Sequence, residues 1–473
     1  MIVKYLEIKQ KYLKKTLCNE NMDLPIHYKL SGGNREMEAK MVEIGREKAE
    51  KILLQNGGEL GLLGSSTAYQ QVWARDSMIC GLGLLVCDNE MGQMVHRRSL
   101  ETLGRFQSEL GKIPHNVGFP NVADPALIAH GGKLENEGEN GQAVEDSIHA
   151  GCVDGNIWYI IGHYSYYIET KDKEFLQKWW GNLERALLWL RYQDSNECGL
   201  LEVHEAMDWA DLFANRYNVL FDNVLYAAAW KCMGHMADAL DIPSSYYYDN
   251  AKDVKKKINI LLWITPENQE KMDWVKKERK EWIYPIKRVE TELVERPFYL
   301  PYMGFRDYAD RFDTLANLLA IVFGIADEDK ANKILDYIHG CGINEPYPVQ
   351  ALYPAIREGE KDWRDYYRVR NLNLPHHYHN GGSWPFIGGF YVAALIQAKR
   401  FEEAEYQIGK LAQMNKAGKK DEWEFNEWFH GQSGRPMGYA GQSWSAAMYL
   451  FAENAVKNQK VNIFNSEHEW CNF

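Results

Sequence analysis

His379-Asn380-Gly381-Gly382-Ser383-Trp384-Pro385 is a turn that opens a helix. Its glycines let backbone approach a ligand closely. Pro385 suits a first helical turn, where its missing N–H would lack a partner anyway. An apolar stretch with helical periodicity follows, over about 384–399. Outward from this turn the arrangement recurs. Trp73-Ala74-Arg75-Asp76, Val153-Asp154-Gly155-Asn156, Met207-Asp208-Trp209-Ala210-Asp211, Arg311-Phe312-Asp313 and Gly441-Gln442-Ser443-Trp444 each lie just before a helical stretch or at its start. Periodicity predicts helices at about 36–56, 76–88, 91–110, 152–169, 173–195, 217–239, 245–263, 312–324, 328–340, 384–399, 401–414 and 442–457. The polar-aromatic motifs fall on every second one. The long irregular stretches lead into those same helices, whereas the connections after the second, fourth, eighth and tenth look short.

Strand signals are sparse, so the expectation is an all-α chain. Twelve helices in regular alternation make six hairpins, the count of an (α/α)6 barrel. In a double ring, alternate helices line the inside and their N-terminal ends converge at one mouth. Motifs placed on one parity would then line a single funnel. Asp, Asn and Ser at helix starts are also ordinary N-caps. Capping accounts for any one motif as well as function does, but it accounts poorly for all six on one parity. The barrel is expected over 36–460 as one domain, with an N-terminal arm at 1–35 and a C-terminal tail at 461–473. Residues 264–305, with Pro266, Pro285, Pro297 and Pro301, look too irregular for the ring. They are expected to form an excursion over the mouth or side.

Composition narrows the classes of function. The 473 residues are 45% hydrophobic, enough for a large core without disulfides or metals. The formal net charge of -12 opposes a polyphosphate partner and an anionic membrane surface, so no nucleic acid and no membrane are expected. Cys18, Cys80, Cys87, Cys152, Cys198, Cys232, Cys341 and Cys471 are scattered and form no Cys-x-x-Cys pair. Buried reduced thiols are the ordinary reading. Met1–Lys15 lacks the apolar core of a signal peptide, and no apolar run reaches the ~18 residues a membrane span needs. These features together predict a cytoplasmic protein. A homo-oligomer stays open, because sequence does not separate exposed faces from interfaces.

Trp and Tyr are abundant, at 16 and 28. Sugar rings stack their C–H faces on aromatic planes, which suits a small carbohydrate substrate, although any large core also uses aromatics. Acetal hydrolysis needs a proton donor for the leaving oxygen and a second carboxylate that activates water or attacks directly. Asp208 lies between Met207 and Trp209, and an apolar shell raises a carboxyl's proton affinity as a general acid requires. Asp211 and Glu205 are its local rivals, and a helix cap is the bland reading. Glu427, in Glu424-Phe425-Asn426-Glu427-Trp428-Phe429-His430 before a glycine-rich turn, looks like a carboxylate presented from a loop. Its rival is Glu424, and a turn with alternating burial is the bland alternative. Arg75-Asp76 beside Trp73 could grip vicinal hydroxyls or form a structural pair. Phosphate-loop, dinucleotide, His-Glu-x-x-His and Gly-x-Ser-x-Gly signatures are missing. His376-His377-Tyr378-His379 is dense, but it lacks convincing metal spacing. Neither a metal nor a cofactor is expected.

Tyr353-Pro354-Ala355-Ile356, Trp363 and Tyr378-His379-Asn380-Gly381-Gly382-Ser383-Trp384-Pro385 resemble the alkaline/neutral invertases, inverting glycoside hydrolases with an (α/α)6 barrel. Trp73-Ala74-Arg75-Asp76, Val153-Asp154 with Trp158, Arg311–Leu318 and Gln442-Ser443-Trp444 follow in the same order, so the likeness runs with gaps from about 70 to 457. The resemblance implies that Glu427, ahead of Trp428-Phe429 and Ser433-Gly434, is the catalytic base. It also implies that Asp208 is the catalytic acid, as does a similarity to trehalases and related α-glucosidases. The invertases follow their acid with two arginines, where this chain has Trp209-Ala210-Asp211. The Trp73–Asp76 stretch is also similar to debranching-type amylo-1,6-glucosidases. The expectation is therefore an inverting, exo-acting hydrolase of an α-glucosidic bond, with sucrose hydrolysis as the alternative. Arg75, Asp76, Asp154, Asp211, Asp313, His379, Asn380 and Gln442 would hold the sugar, and Trp73, Trp209, Trp384, Trp428 and Trp444 would wall it. Three rivals remain. A sugar 2-epimerase would centre on His149, His204 and His379, a phosphorolytic enzyme would use Arg75 and Arg435, and a binding module would do no chemistry.

Overall fold

The structure is a computed structural model that describes residues 32–87, 90–119, 144–145, 152–265, 269–293, 295–461 and 463. The expected arm and tail therefore lie outside the described residues, except where the first helix begins early and where 461 and 463 close the chain.

The ring helices are α1 (Gly32–Asn56), α2 (Ala74–Leu85), α3 (Glu90–Arg105), α4 (Asp154–Thr170), α5 (Lys173–Arg191), α6 (Leu220–Ala239) and α7 (Ser245–Leu261). After α8 (Gln269–Glu278) and α9 (Ile283–Glu292), the ring resumes with α10 (Thr314–Val322), α11 (Glu328–Gly340), α12 (Pro385–Gln397), α13 (Phe401–Lys416) and α14 (Ser443–Asn458). Helices α2, α4, α6, α10, α12 and α14 contact one another in that order, and α14 returns to α2. This closes the inner ring of an (α/α)6 barrel. The sequences show why these six go inside. α6 buries every residue from Leu220 to Ala237, and α12 every residue from Pro385 to Ile396. A helix apolar on all sides must be surrounded. The outer helix α5 instead buries one stripe: Phe175, Leu176, Trp179, Leu183, Ala186, Leu187 and Leu190. Where α2 and α12 cross α14, glycine sets the distance. A Cβ on Gly83 would stand 2.0 Å from the Ala447 carbonyl, and one on Gly389 would stand 2.5 Å from that of Met448.

Capping explains one of the six motifs. Asp313 accepts the Ala316 N–H at 3.1 Å. Trp73, Val153, Val219, Trp384 and Gln442 precede the other inner helices without a side-chain cap bond.

The mouth is tied by a device that periodicity does not announce. Asn223 on α6 accepts the Leu201 N–H at 2.7 Å and donates to the Leu201 carbonyl at 3.2 Å. Asn317 on α10 does the same to Tyr299, at 2.9 and 3.2 Å. Asn156 on α4 binds Ile113 N–H at 2.7 Å and the Gly111 carbonyl at 2.9 Å. Each amide acts as a one-residue strand and satisfies buried backbone that the incoming loop would otherwise leave unpaired. Short ladders add to this. β1 (Val72–Trp73), β2 (Asn116–Gly118) and β3 (Val144–Glu145) form one sheet. β4 (Asn218–Val219) pairs with β5 (Tyr302–Met303), β6 (Phe312–Asp313) with β7 (Leu352–Tyr353), and β8 (Trp428–Phe429) with β9 (Pro436–Met437). β1, β4 and β6 each run directly into an inner helix, so the ladders fix where those helices begin.

The 264–305 segment corrects the expectation of irregularity. α8 and α9 pack together around a 3-10 turn at Lys280–Trp282, burying Val275, Trp282, Ile286 and Val289. Arg279 donates to the Glu197 carbonyl, which sets this hairpin beside the loop leading into α6. Pro266 lies outside the described residues, Pro297 and Pro301 lie outside the helices, and Pro285 sits in the first turn of α9 where it is tolerated.

Candidate active site

Asp208 hangs from the loop between α5 and α6. That loop is held by Asn223 and by the Val153 N–H, which donates to the Met207 carbonyl at 3.1 Å. Asp208 is 1% exposed. Its Oδ1 accepts the Ala210 N–H at 2.7 Å, and its buried Oδ2 meets no hydrogen-bond partner among the described residues. Burial, seconded by the charges of Asp154 and Asp313, pushes its carboxyl up to about 7 against the pull of the Ala210 N–H and Arg75.

Glu427 comes from the far end of the chain, one residue before β8. Its backbone N–H donates to the Tyr439 carbonyl at 2.9 Å. Its Oε1 accepts the Tyr69 hydroxyl at 3.1 Å, and its Oε2 accepts the Tyr439 N–H at 3.2 Å. The residue is 4% exposed, and burial pushes its carboxyl up to about 7 against these two donors. Gly438 makes room for it. A Cβ there would stand 2.5 Å from both Cβ and Oε2 of Glu427, at a φ of +63° that favours glycine.

The charges of Asp76 and Asp211 both reach Glu427. Both are half-buried. The charge of Asp211 acts on Glu427, Asp76 and Asp154, and on Tyr69, Tyr378 and His379. Burial raises Asp76 to about 6, opposed by Arg75. Arg75 and Asp154 form a buried ion pair at 2.9 Å, which is the structural reading of Arg75. The pair is incomplete, since Arg75 Nη2 and Asp154 Oδ1 are buried without partners among the described residues. Asp313 caps α10 and is also raised by burial to about 6.

Aromatics build the wall. Trp209 meets His379 edge-on at 4.9 Å and Trp384 at 5.7 Å. Trp384 meets Trp444 at 5.6 Å, and Trp444 stacks on Phe386 at 4.2 Å. Trp73 lies 5.6 Å from Tyr69, and Trp428 lies 5.8 Å from Tyr378. The Gln442 amide Nε2, at the head of α14, is buried and has no partner among the described residues.

Two of the rival carboxyls are engaged elsewhere. Glu205 is gripped by Arg364 at 2.8 and 3.0 Å and by the Tyr366 hydroxyl at 2.8 Å. Against the opposing effect of burial, these bonds hold its carboxyl below the ordinary range. Glu424 accepts the N–H groups of Lys419, Lys420 and Asp421 and ties its own turn. Neither is free for proton transfer. Asn380 corrects the expectation of a sugar contact. It donates to the Ile356 and Asn373 carbonyls at 2.8 and 3.0 Å and accepts the Ile356 N–H at 2.7 Å. Both amide hydrogens are engaged, so it is another loop clamp.

His149 lies outside the described residues, and His204 is exposed. His379 is buried against Trp384, and burial pushes its imidazole down to about 3. Arg435 is exposed at the tip of the β8–β9 hairpin. Local sequence gave no cue for Tyr69 or Tyr439. Asp222 could have been noticed, because Leu220-Phe221-Asp222-Asn223-Val224-Leu225 places one acid in an apolar helix start.

Residues 302–459 match the alkaline and neutral invertase family. That stretch carries Asp313, the His379–Pro385 turn, Glu427 and Trp444, while Asp208 and Arg75 lie outside it. Alkaline/neutral invertase E, chloroplastic, of Arabidopsis thaliana is 34% identical over 164 residues, which are 34% of this chain and 25% of that protein. Cytosolic invertase 1 of Oryza sativa subsp. japonica is 34% identical over 162 residues, 33% of this chain and 26% of the relative. The chain thus spans about a quarter of the length of these curated relatives. Among solved structures, the GH63 mannosylglycerate hydrolase from Thermus thermophilus, in complex with glucose, superposes with a TM-score of 0.61. The identity is 14%, over 86% of this chain and 98% of that one. A bacterial glucoamylase complexed with acarbose gives a TM-score of 0.54 at 14% identity, over 90% of this chain and 57% of that chain. At such identities the likeness is one of fold. No helix among the described residues is long and apolar enough to cross a membrane.

Proposed function

We propose that this chain is an inverting, exo-acting glycoside hydrolase that cleaves an α-glucosidic bond in a small oligosaccharide or glucoside. Asp208 is the general acid and Glu427 the general base. One observation carries the reading: two buried carboxyls, delivered by loops far apart in sequence, are both raised to about 7. They are joined by neighbouring charges, since Asp154 acts on Asp208 and Asp211 acts on both Asp154 and Glu427. Asp208 Oδ1 is occupied by the Ala210 N–H, so the proton sits on Oδ2, which has no competing partner among the described residues. Glu427 is aimed by Tyr69 and Tyr439, and its raised proton affinity makes it a stronger base toward water. Inversion places water between the base and the anomeric carbon, which calls for carboxyls roughly 6.5–9.5 Å apart. The aromatic wall and the half-buried Asp76 and Asp211 take the sugar. The scheme needs no metal or cofactor, and the barrel acts as one domain in the cytoplasm.

Sucrose is the second substrate reading. It is favoured by the invertase match over 302–459, while Trp209-Ala210-Asp211 beside the acid weighs against it. The test is proton NMR of the first product released from sucrose, trehalose, isomaltose, maltose and a branched glucan. β-Glucose appearing first supports inversion and names the linkage. α-Glucose appearing first overturns inversion, and no release from any glucoside overturns the hydrolase reading.

A further inference from the structure

Away from the buried carboxyls, exposed rings gather at one place on the rim. Tyr217, Phe305 and Tyr284 are 43%, 52% and 57% exposed. Scattered exposed rings are ordinary, but a group of them marks a contact surface. Tyr217 and Phe305 line one shallow cleft together with Pro285, and Tyr284 precedes Pro285 in α9. Asn196, Glu202 and Glu281 give that cleft its polar edge.

The rings come from separate segments, and backbone bonds hold them. Tyr217 lies in the loop leading into α6. Its N–H donates to the Val203 carbonyl at 2.7 Å, and its own carbonyl accepts the Val203 N–H at 2.8 Å. This exchange holds Tyr217 at a φ of +64°, which a residue with a side chain rarely adopts. Its ring lies against Gly304, where a Cβ would stand 2.8 Å from the ring's Cδ2. Phe305 follows in a turn that Gly304 closes by donating its N–H to the Asp307 carbonyl at 2.8 Å. Arg288 on α9 donates to the Arg306 carbonyl at 2.6 Å, and the Arg306 guanidinium lies 5.8 Å from the Tyr284 ring centre. That turn is thereby tied to the α8–α9 hairpin, which supplies Glu281, Trp282 and Pro285 to the lining. The cleft also touches the acid's own loop. Val203 belongs to the loop that carries Asp208, and Arg216, beside Tyr217, reaches Glu205 in it at 3.6 Å.

The lining narrows the class of ligand. Among the described residues no lysine or arginine lines the cleft, so nothing there neutralises a phosphate or carboxylate. A cation finds both carboxylates engaged, Glu281 by Arg279 at 3.2 Å and Glu202 by the Ser195 hydroxyl. Each carboxylate still has lone pairs to accept a hydroxyl. Aromatic faces beside such acceptors suit a neutral ring with an apolar C–H face and hydroxyls on its edge.

We propose that this cleft is a second saccharide site, which holds hexose units of a neutral oligosaccharide on the rim, outside the mouth. The inference rests on the reading of the mouth as a glycoside hydrolase site and deepens it: the substrate is a chain with one part held on the rim, rather than a simple glucoside.

The test is calorimetric titration of the full chain, carried in the Glu427→Gln background so that the sugar stays intact. The probes are maltoheptaose and an isomaltose oligosaccharide of equal length, each set against its disaccharide. Tyr217→Ala and Phe305→Ala should each weaken binding of the long sugar about tenfold and leave the disaccharide within about twofold. Tyr217→Trp, which keeps a stacking face, should retain binding. In the otherwise wild-type chain, the two alanine variants should leave kcat and KM on the shortest cleaved glucoside unchanged. Unchanged affinity for the long sugar in both alanine variants overturns the proposal. Equal weakening of long and short sugars overturns it too, since that places the rings in the mouth or in the fold. Phe305→Ala decides the matter if Tyr217→Ala does not fold. A wild type that binds the long sugar through Tyr217 and Phe305 yet hydrolyses no glucoside would sink the hydrolase reading and leave the cleft standing. Hydrolysis of short glucosides with no binding of either long sugar would sink the cleft alone.

Discussion

Replacing Asp208 by Asn should inactivate the protein and stabilise it. Asp208 binds its proton more tightly in the folded state, at about 7 against 3.8. For a carboxyl raised in this way, the favourable contribution is complete below about pH 4 and is lost as pH rises toward 7. Three units at 1.36 kcal/mol each give about 4 kcal/mol lost by pH 8. Asparagine removes that ionisation. Its Oδ1 can still accept the Ala210 N–H, but its NH2 takes the place of the unpartnered Oδ2. A buried unsatisfied donor costs about 1–3 kcal/mol. The net expectation at pH 8 is therefore a gain of about 1–3 kcal/mol. At pH 5, where wild-type Asp208 is already protonated, the gain should vanish. Urea denaturation of both proteins at the two pH values is the assay. Thermal shifts are a poorer readout, since a chain this long moves only about 1 °C per kcal/mol. A variant less stable than wild type at pH 8, or a difference that ignores pH, would refute the claim that Asp208 is buried with raised proton affinity. Glu427→Gln should behave similarly but gain less, because the Tyr69 and Tyr439 donors prefer a carboxylate.

Gly438→Ala forces a Cβ to within 2.5 Å of the Glu427 side chain. Displacing the base by about 1 Å should lower kcat on the order of 100-fold, and the left-handed backbone should cost about 1–2 kcal/mol of stability; wild-type kcat and urea midpoint would refute the contact. Asn380→Ala strands the Ile356 N–H and the Ile356 and Asn373 carbonyls, so stability should fall by about 3 kcal/mol while KM holds. A large rise in KM with stability intact would restore Asn380 as a sugar contact. Glu205→Gln should leave kcat within about threefold, whereas Asp208→Asn loses roughly 1,000-fold or more. The opposite order in initial-rate assays would exchange their roles.

The barrel was legible because burial is periodic in it. The inner helices, buried on every side, and the striped outer ones differ in composition, and the alternation of the two predicts the ring within a few residues at nearly every helix end. α8 and α9 were missed because each is short and lies in a stretch dense with lysine, glutamate and proline, where propensity speaks weakly. In the candidate site, the burial of Asp208 was legible from its neighbours Met207 and Trp209. It was not legible where a residue's role is set by chain segments hundreds of positions away. Nothing around Tyr69 announces Glu427, since the bond joins residues 358 apart. Asn380 misled at shorter range, because its amide looks free until the Ile356 backbone, 24 residues earlier, is laid beside it.

Six helix N-termini converge on this mouth, and each favours a negative charge by about 0.3–1 kcal/mol, or about 2 in favourable buried settings. On that ground alone the carboxyls should be ionised easily. They are raised instead, because desolvation exceeds the dipoles wherever water is excluded. The half-buried Asp76 rises to about 6, the buried Asp208 to about 7, and the unpartnered Asp222 well beyond. Depth alone does not order these acids, since Asp154 is fully buried yet Arg75 opposes its rise. An inverting site needs carboxyls graded in this way. A sugar hydroxyl is held by a charged carboxylate at the rim, and the leaving oxygen takes its proton from a carboxyl further in, which must give that proton up without the charge it leaves behind being stranded.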